Sequence, residues 1–141
     1  MNDAGECPEG YGFEPSVSAF INHIGKVYTK RIERDGKLEA WAALRIESHH
    51  VNAWQFCHGA VMASMAEIGT SGPVWDPAGP PVVAIEMSMQ FIAAPKLGDL
   101  LEVCGTVTKR TRSLAFSQAL GQVDGNPVFL ATSVQKYLGG Q

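Results

Sequence analysis

From His49 to Gly72 the chain reads HHVNAWQFCHGAVMASMAEIGTSG, and this stretch limits what the rest can fold into. A polar, aromatic loop changes at Cys57-His58-Gly59 into a run of small and medium apolar residues. One carboxylate, Glu67, interrupts that run. Its spacing predicts a helix over residues 58–70, while the remainder of the chain is patterned as strands and turns. A single mostly apolar helix among strands must bury its surface, so it is expected to be a core helix wrapped by a sheet.

The flanking elements agree. Residues 1–15 hold Gly5, Pro8, Gly10, Gly12 and Pro15 among acids and read as an irregular arm. Ser16 is the expected cap of a short helix with Val17, Phe20, Ile21 and Ile24 at helical spacing, ended by Gly25; arm and helix together occupy residues 1–24. Residues 27–34 alternate. Asp35-Gly36 then suits a type I′ hairpin turn, and residues 37–47 return with Leu38, Ala40, Ala42, Leu44 and Ile46 on one face. Beyond the prolines at 73, 77, 80 and 81, four strands are predicted over 82–93, 100–110, 113–123 and 128–138. With 141 residues and no repeat or linker, residues 1–141 form one domain. The predicted class is α+β: a hairpin, a helix, then an antiparallel meander, curled around one long central helix.

Composition excludes several functions. Hydrophobic residues at 45% and charged residues at 18% fit a folded domain, and a net charge of -3 without a basic block argues against nucleic acid as a partner. No apolar run is long enough for a membrane helix, and the acidic start lacks the apolar core of a signal peptide. Cys7, Cys57 and Cys104 are widely spaced and odd in number, which points to a reducing cytoplasm rather than a disulfide framework or zinc site.

On the predicted helix, Ala60, Ala63, Ser64, Glu67 and Ser71 share one face, and Val61, Met62, Met65 and Ile68 form the larger apolar surface expected to pack on the sheet. Glu67 has two readings: a solvated surface charge, or a carboxylate partly desolvated in a cleft and so a better base. The absence of Lys or Arg from residue 51 to 72 favours the second. Gly59 also has two. It permits tight packing, or it lets a ligand reach the first free N–H groups of a helix, which polarise a carbonyl as an oxyanion hole does. Eight residues separate Gly59 from Glu67, about 12 Å along a helix. If both serve one reaction, they come from two subunits across a two-fold axis.

At these residues the chain resembles the hotdog-fold acyl-CoA thioesterases, the group that includes the phenylacetate-pathway (PaaI-like) and 4-hydroxybenzoyl-CoA enzymes. The family pattern is Asn or Gln, then His-Gly-Gly six residues later, then Asp or Glu nine residues after the His. Asn52, His58-Gly59-Ala60 and Glu67 match it. Phe91 to Asp99, FIAAPKLGD, and Lys109 to Phe116, KRTRSLAF, resemble its later turns, and the likeness covers about residues 40–138. Ala60, Gln55 and Ala93 depart from the pattern, standing where the family has Gly, Gly, and in some members Ser or Thr.

The resemblance implies a hotdog fold and hydrolysis of an acyl-CoA to free acid and CoA. The Gly59 N–H would polarise the thioester carbonyl, Asn52 would orient the carbonyl or water, and Glu67 of a second subunit would be general base or nucleophile. His58 would hold the loop, and Ser71 would help hold water. Lys109, Arg110 and Arg112, with Arg112 foremost, would meet the CoA phosphates, and Trp54 and Phe56 would line the acyl pocket. A homodimer with shared sites, assembling into a homotetramer, is expected. No metal or separate cofactor is implied, since CoA is part of the substrate. The rivals are a non-catalytic acyl-CoA binder, which has little need of a carboxylate in its cleft, and a hotdog dehydratase, which needs a helix His this chain lacks. A Cys57-His58 nucleophile and a metal site at His49, His50 and His58 are the weaker alternatives.

Overall fold

The computed structural model describes residues 5–139. The first four residues of the expected arm and the last two of the chain lie outside them. The helices are α1 (Ala19–Ile24) and α2 (Gly59–Ser71); the strands are β1 (Val27–Arg34), β2 (Lys37–Arg45), β3 (Val82–Phe91), β4 (Leu100–Arg110), β5 (Leu114–Val123) and β6 (Asn126–Tyr137). All six strands pair antiparallel in one sheet of order β1-β2-β4-β5-β6-β3, and α2 lies against it. This curled sheet around one main helix is the hotdog fold.

Two Asp-Gly turns shape the hairpins. Asp35 and Gly36 take φ of 54° and 75°, and Asp124 and Gly125 take 50° and 78°. Paired positive φ is the type I′ geometry, whose twist matches that of the flanking strands. The second turn is tighter than the sequence indicates, because Asn126 and Pro127 already belong to β6.

Two expectations need correction. Ser18, not Ser16, caps α1: its Oγ accepts the Ile21 N–H, while the Ser16 Oγ accepts the Ser18 N–H and Ser16 is further bonded to Asn22. Val17 is therefore outside the helix and 93% exposed, and Ile21 and Ile24 make the contact with the core. Next, β3 does not continue into the meander. It pairs with β6 at the far edge, because the chain after Phe91 hands the Ile92 and Ala93 N–H groups to Val128 O before crossing to β4. The packing face expected of α2 is present: Met62 and Met65 are buried, and Val61 and Ile68 are partly covered and packed against the core. Ala66, Gly69 and Thr70 are buried with them.

The burial of these small residues reflects a close approach between α2 and β4. A Cβ on Gly105 would stand 1.8 Å from Gly69 O, and one on Gly69 would stand 2.4 Å from Val103 Cγ2. Backbone meets backbone here, so the smallest helix residues face the sheet most closely. Around this contact Leu44, Ile46, Leu101, Val103, Phe129 and Met65 close the core; each such side chain contributes about 1.5–3 kcal/mol on burial. The far end of α2 is pinned by polar bonds. Thr70 Oγ1 donates to Ala66 O, and Ser117 Oγ of β5 donates to Thr70 O at 2.8 Å.

Gly105→Ala has no flexible side chain to displace, only the helix backbone. It is expected to cost about 3 kcal/mol or to prevent folding. Urea unfolding followed by circular dichroism measures this; a midpoint unchanged from the natural protein would show that the helix has room to shift.

Candidate functional site at the start of the central helix

The loop before α2 is built on Asn52. Its Oδ1 accepts the N–H groups of Trp54 (2.9 Å) and Phe56 (3.2 Å), its own N–H donates to Phe56 O, and its carbonyl accepts the Gln55 N–H. The turn forces Gln55 to φ 67°, a left-handed conformation that disfavours residues other than glycine. The loop is then fastened to the β3–β4 connection, where Cys57 N–H donates to Pro95 O at 2.7 Å and Phe56 bridges to Lys96. The Asn52 oxygen is thus committed to its own loop. Its amide nitrogen has no hydrogen-bond partner among the described residues.

His58 is the N-cap of α2. Its Nδ1 accepts the Ala60 N–H at 3.0 Å, which places the proton of the neutral ring on Nε2. The next N–H, that of Gly59, has no hydrogen-bond partner among the described residues. A Cβ on Gly59 would meet the Phe91 ring at 3.5 Å, an ordinary contact. Packing within the chain therefore does not require glycine at this position. Phe91 was placed by the sequence only in a turn motif. Its position over the helix start depends on β3 lying beside β6, which no local pattern announces.

Glu67 is exposed on the outward face of α2. On the same face Ala60 is exposed, Ala63, Ser64 and Ser71 are half-buried, and Ser71 Oγ donates to Glu67 Oε1 at 3.3 Å. The small-residue face predicted from the sequence is present, and it is turned to the surface rather than into a cleft of the same chain. Gly59 and Glu67 stand about 12 Å apart along the helix, so a single chain does not bring them to one point.

Apolar side chains surround the helix start: Trp54 is 76% exposed, and Phe56, Phe91, Ile92 and Leu97 are also exposed. The basic residues fall into two groups. Arg110 is committed, donating to Tyr137 OH at 2.7 Å and Pro73 O at 2.9 Å. Lys109 and Arg112 are exposed, without hydrogen-bond partners for their side chains among the described residues. A cleft of about 580 Å³, between Arg31, Trp75 and Arg110, opens at the other end of α2.

The weaker alternatives find no support in the geometry. Burial pushes the Cys57 thiol up to about 11, so it stays protonated at neutral pH and is a poor nucleophile. The His49 and His50 rings both turn to Ile24 O, away from any shared point with His58, and no cluster of three metal-ligating side chains occurs among the described residues. No helix among the described residues is long and apolar enough to cross a membrane.

Residues 55–124 match the thioesterase superfamily. A Pseudomonas aeruginosa protein provisionally named an esterase is 27% identical over 112 residues, 77% of this chain and 81% of that protein. Human acyl-coenzyme A thioesterase 13 is 28% identical over 75 residues, covering 52% of this chain and 54% of the human protein. The Escherichia coli PaaI protein, from the phenylacetic acid degradation operon, superposes with a TM-score of 0.75 at 18% identity, covering 89% of this chain and 88% of that one.

The strained Gln55 offers a test of the loop. Gln55→Gly is expected to leave stability within about 0.5 kcal/mol of the natural protein, since relief of strain offsets the added chain entropy. Gln55→Val places a β-branched residue in the same conformation and is expected to cost about 1–2 kcal/mol. Thermal unfolding of the two variants decides it; equal melting points would mean that the turn relaxes to negative φ.

Proposed function

The chain belongs to the thioesterase superfamily, and from that premise we propose that it hydrolyses an acyl-CoA to the free acid and CoA at a site shared by two subunits. The observation that carries the reading is the Gly59 N–H. It opens a helix of 13 residues, has no partner within the described residues, and has only the Phe91 ring, in ordinary contact at 3.5 Å, beside the place where a side chain would begin. The positive end of the helix dipole acts in the same direction as that N–H. A thioester carbonyl lodged there would accept the hydrogen bond, which strengthens as negative charge develops on its oxygen.

Glu67 of a second subunit supplies the other half. As general base it takes a proton from water while the water oxygen bonds to the carbonyl carbon. The C–S bond then breaks, and the CoA thiolate leaves and recovers the proton from the Glu67 carboxyl. As nucleophile it forms a mixed anhydride that water opens, with the same net products. The Ser71 hydroxyl, donating to Glu67 Oε1, holds the carboxylate in position in either route. The Asn52 amide nitrogen remains free to orient the carbonyl or the water.

Two surfaces support the assembly. Strand β3 is an edge strand carrying exposed Val83 and Ile85, an apolar edge of the kind that pairs with another chain. Two β3 edges pairing about a two-fold axis would set the outward faces of two α2 helices against each other. On the middle strands of the sheet, Phe116, Leu120 and Leu130 are exposed as well and favour association of two dimers into a tetramer. Lys109 and Arg112 are the free cations for the CoA phosphates, while Arg110 braces the loop at Pro73. Trp54 and Phe56 provide apolar surface for the acyl group. The three unpaired cysteines fit a reducing cytoplasm.

A panel of aryl-, short- and long-chain acyl-CoAs with thiol release as the readout tests the activity; binding without release would favour the binder instead. Glu67→Gln is expected to lower kcat by about 10²-fold or more with an unchanged melting point, since Glu67 is exposed in the single chain. Gly59→Val is expected to do the same by blocking the carbonyl. Mixing the two inactive variants then reads the subunit boundary. If each site joins Gly59 of one subunit to Glu67 of another, re-associated dimers recover about a quarter of the natural activity, because half are mixed and each mixed dimer has one intact site. No recovery from a re-associated mixture would place both groups in one chain.

A further inference from the structure

We propose that His50 is a positioning residue for this site, fixing the Gly59 N–H by tying the loop before α2 to the end of α1. The inference rests on the thioesterase reading above for its kinetic consequence, but its structural basis is independent of it.

His50 is 2% exposed and makes three connections. Its Nδ1 accepts the Glu47 N–H at 2.9 Å, which holds the chain as it leaves β2. An accepting Nδ1 bears no proton, so the proton of the neutral ring is on Nε2. That Nε2–H donates to Ile24 O, the last carbonyl of α1, 26 residues back in the chain. The backbone carbonyl of His50 accepts the His58 N–H at 2.8 Å. One residue therefore joins the exit of β2, the end of α1 and the cap of α2.

The surroundings are fitted to this ring. Ile24 O is a helix-terminal carbonyl without a partner inside its own helix, which makes it a strong acceptor. His49 Nε2 also reaches it, at 3.2 Å, with the two rings 3.9 Å apart. Gly25 follows at φ 146°, and a Cβ on it would press on Leu44 Cδ1 at 3.1 Å and lie 3.5 Å from the His50 ring. Only glycine lets the chain turn away here while presenting the carbonyl to the ring.

The loop that leaves His50 comes back to it. Val51 bridges to Cys57, and His58 N–H closes onto His50 O. Residues 51–58 thus form a closed loop whose base is His50, with Gly59 one residue beyond the closure. A shift of His50 is passed to His58, whose ring caps α2, and so to the N–H that would polarise the substrate. Misplacement of a reacting group by about 1 Å can cost on the order of 10²-fold in rate.

Two substitutions separate positioning from bulk stability. Gln reaches about as far as imidazole Nε2 and can still donate to Ile24 O. Asn matches only Nδ1 and keeps the Glu47 bond alone. His50→Gln is expected to keep kcat within about threefold of the natural enzyme, and His50→Asn to lose about tenfold or more in kcat with little change in KM, at temperatures where both are fully folded. Equal kcat for fully folded His50→Asn overturns the proposal. If His50→Asn does not fold, Gly25→Ala displaces the Ile24 carbonyl without altering the loop; it is then expected to lower kcat in the same way, and an unchanged kcat likewise overturns it. Hydrogen exchange gives the readout that needs no substrate. The Cys57 and His58 amides are expected to exchange at least about tenfold faster in whichever of these variants folds, with β4–β6 unaffected, and unchanged exchange refutes the link. A wild-type protein inactive on every thioester would sink the activity assignment while leaving exchange to decide the role of His50.

Discussion

The backbone contact between Gly69 of α2 and Gly105 of β4 governs the rest of the structure. It sets how deeply the helix lies in the curl of the sheet, because no side chain separates the two elements there. Depth in turn sets rotation. With Gly69, Ala66 and Thr70 against the sheet, the face carrying Ala60, Ala63, Ser64 and Glu67 must point outward. The ends of the helix are then fixed separately, by Ser117 on Thr70 O at one end and the His58 cap at the other. The position of Gly59 is the joint result of a packing contact and two sets of polar bonds.

Around the helix start, unspent bonding capacity separates supporting groups from candidates for chemistry. The Asn52 oxygen, the His58 Nδ1, the His50 ring and the Arg110 guanidinium are all satisfied by their own chain. These groups hold the architecture. The Gly59 N–H, the outward carboxylate of Glu67 and the exposed Arg112 serve no comparable purpose in a single chain. A helix donor is left free beside an aromatic surface whose exposure costs solubility, and a carboxylate stands on a face of small residues. A bound substrate and a second subunit would account for both.

Much of this was legible in the sequence, for local reasons. Each Asp-Gly turn announces itself because only a few residues tolerate paired positive φ, and the strand limits follow from those turns within a residue or two. The helix and its outward face follow from spacing alone, as do the places of Gly59 and Glu67 on it, whereas Asn52 is singled out only by the family resemblance. The misreadings are non-local. Whether Ser16 or Ser18 caps α1 depends on which one Asn22 engages. The pairing of β3 with β6 depends on a crossing connection, and periodicity within β3 carries no record of its partner. That Ala66, Gly69 and Thr70 are buried alongside the methionines of α2 depends on the backbone contact with β4, which helical spacing does not show. The bond from His50 to Ile24 spans 26 residues and has no sequence signature at all.

The same helix geometry leads from the single chain to the assembly. A carbonyl held by the Gly59 N–H must lie about 3 Å from it, while Glu67 of that chain stands about 12 Å away along the axis. No rotamer of a glutamate on the same helix closes that gap while the side chain stays bonded to Ser71. An antiparallel partner helix reverses the sense of the axis, so its Glu67 approaches the first helix's Gly59 as its Gly59 approaches the first helix's Glu67. Small residues at Ala60, Ala63 and Ser64 allow two such helices to come close, and the unpaired β3 edge provides a way to align them. A two-fold interface of this kind holds two sites or none. In the proposed dimer, activity and association would depend on one set of contacts, and the outward carboxylate that looks out of place in one chain would become the inward group of the pair.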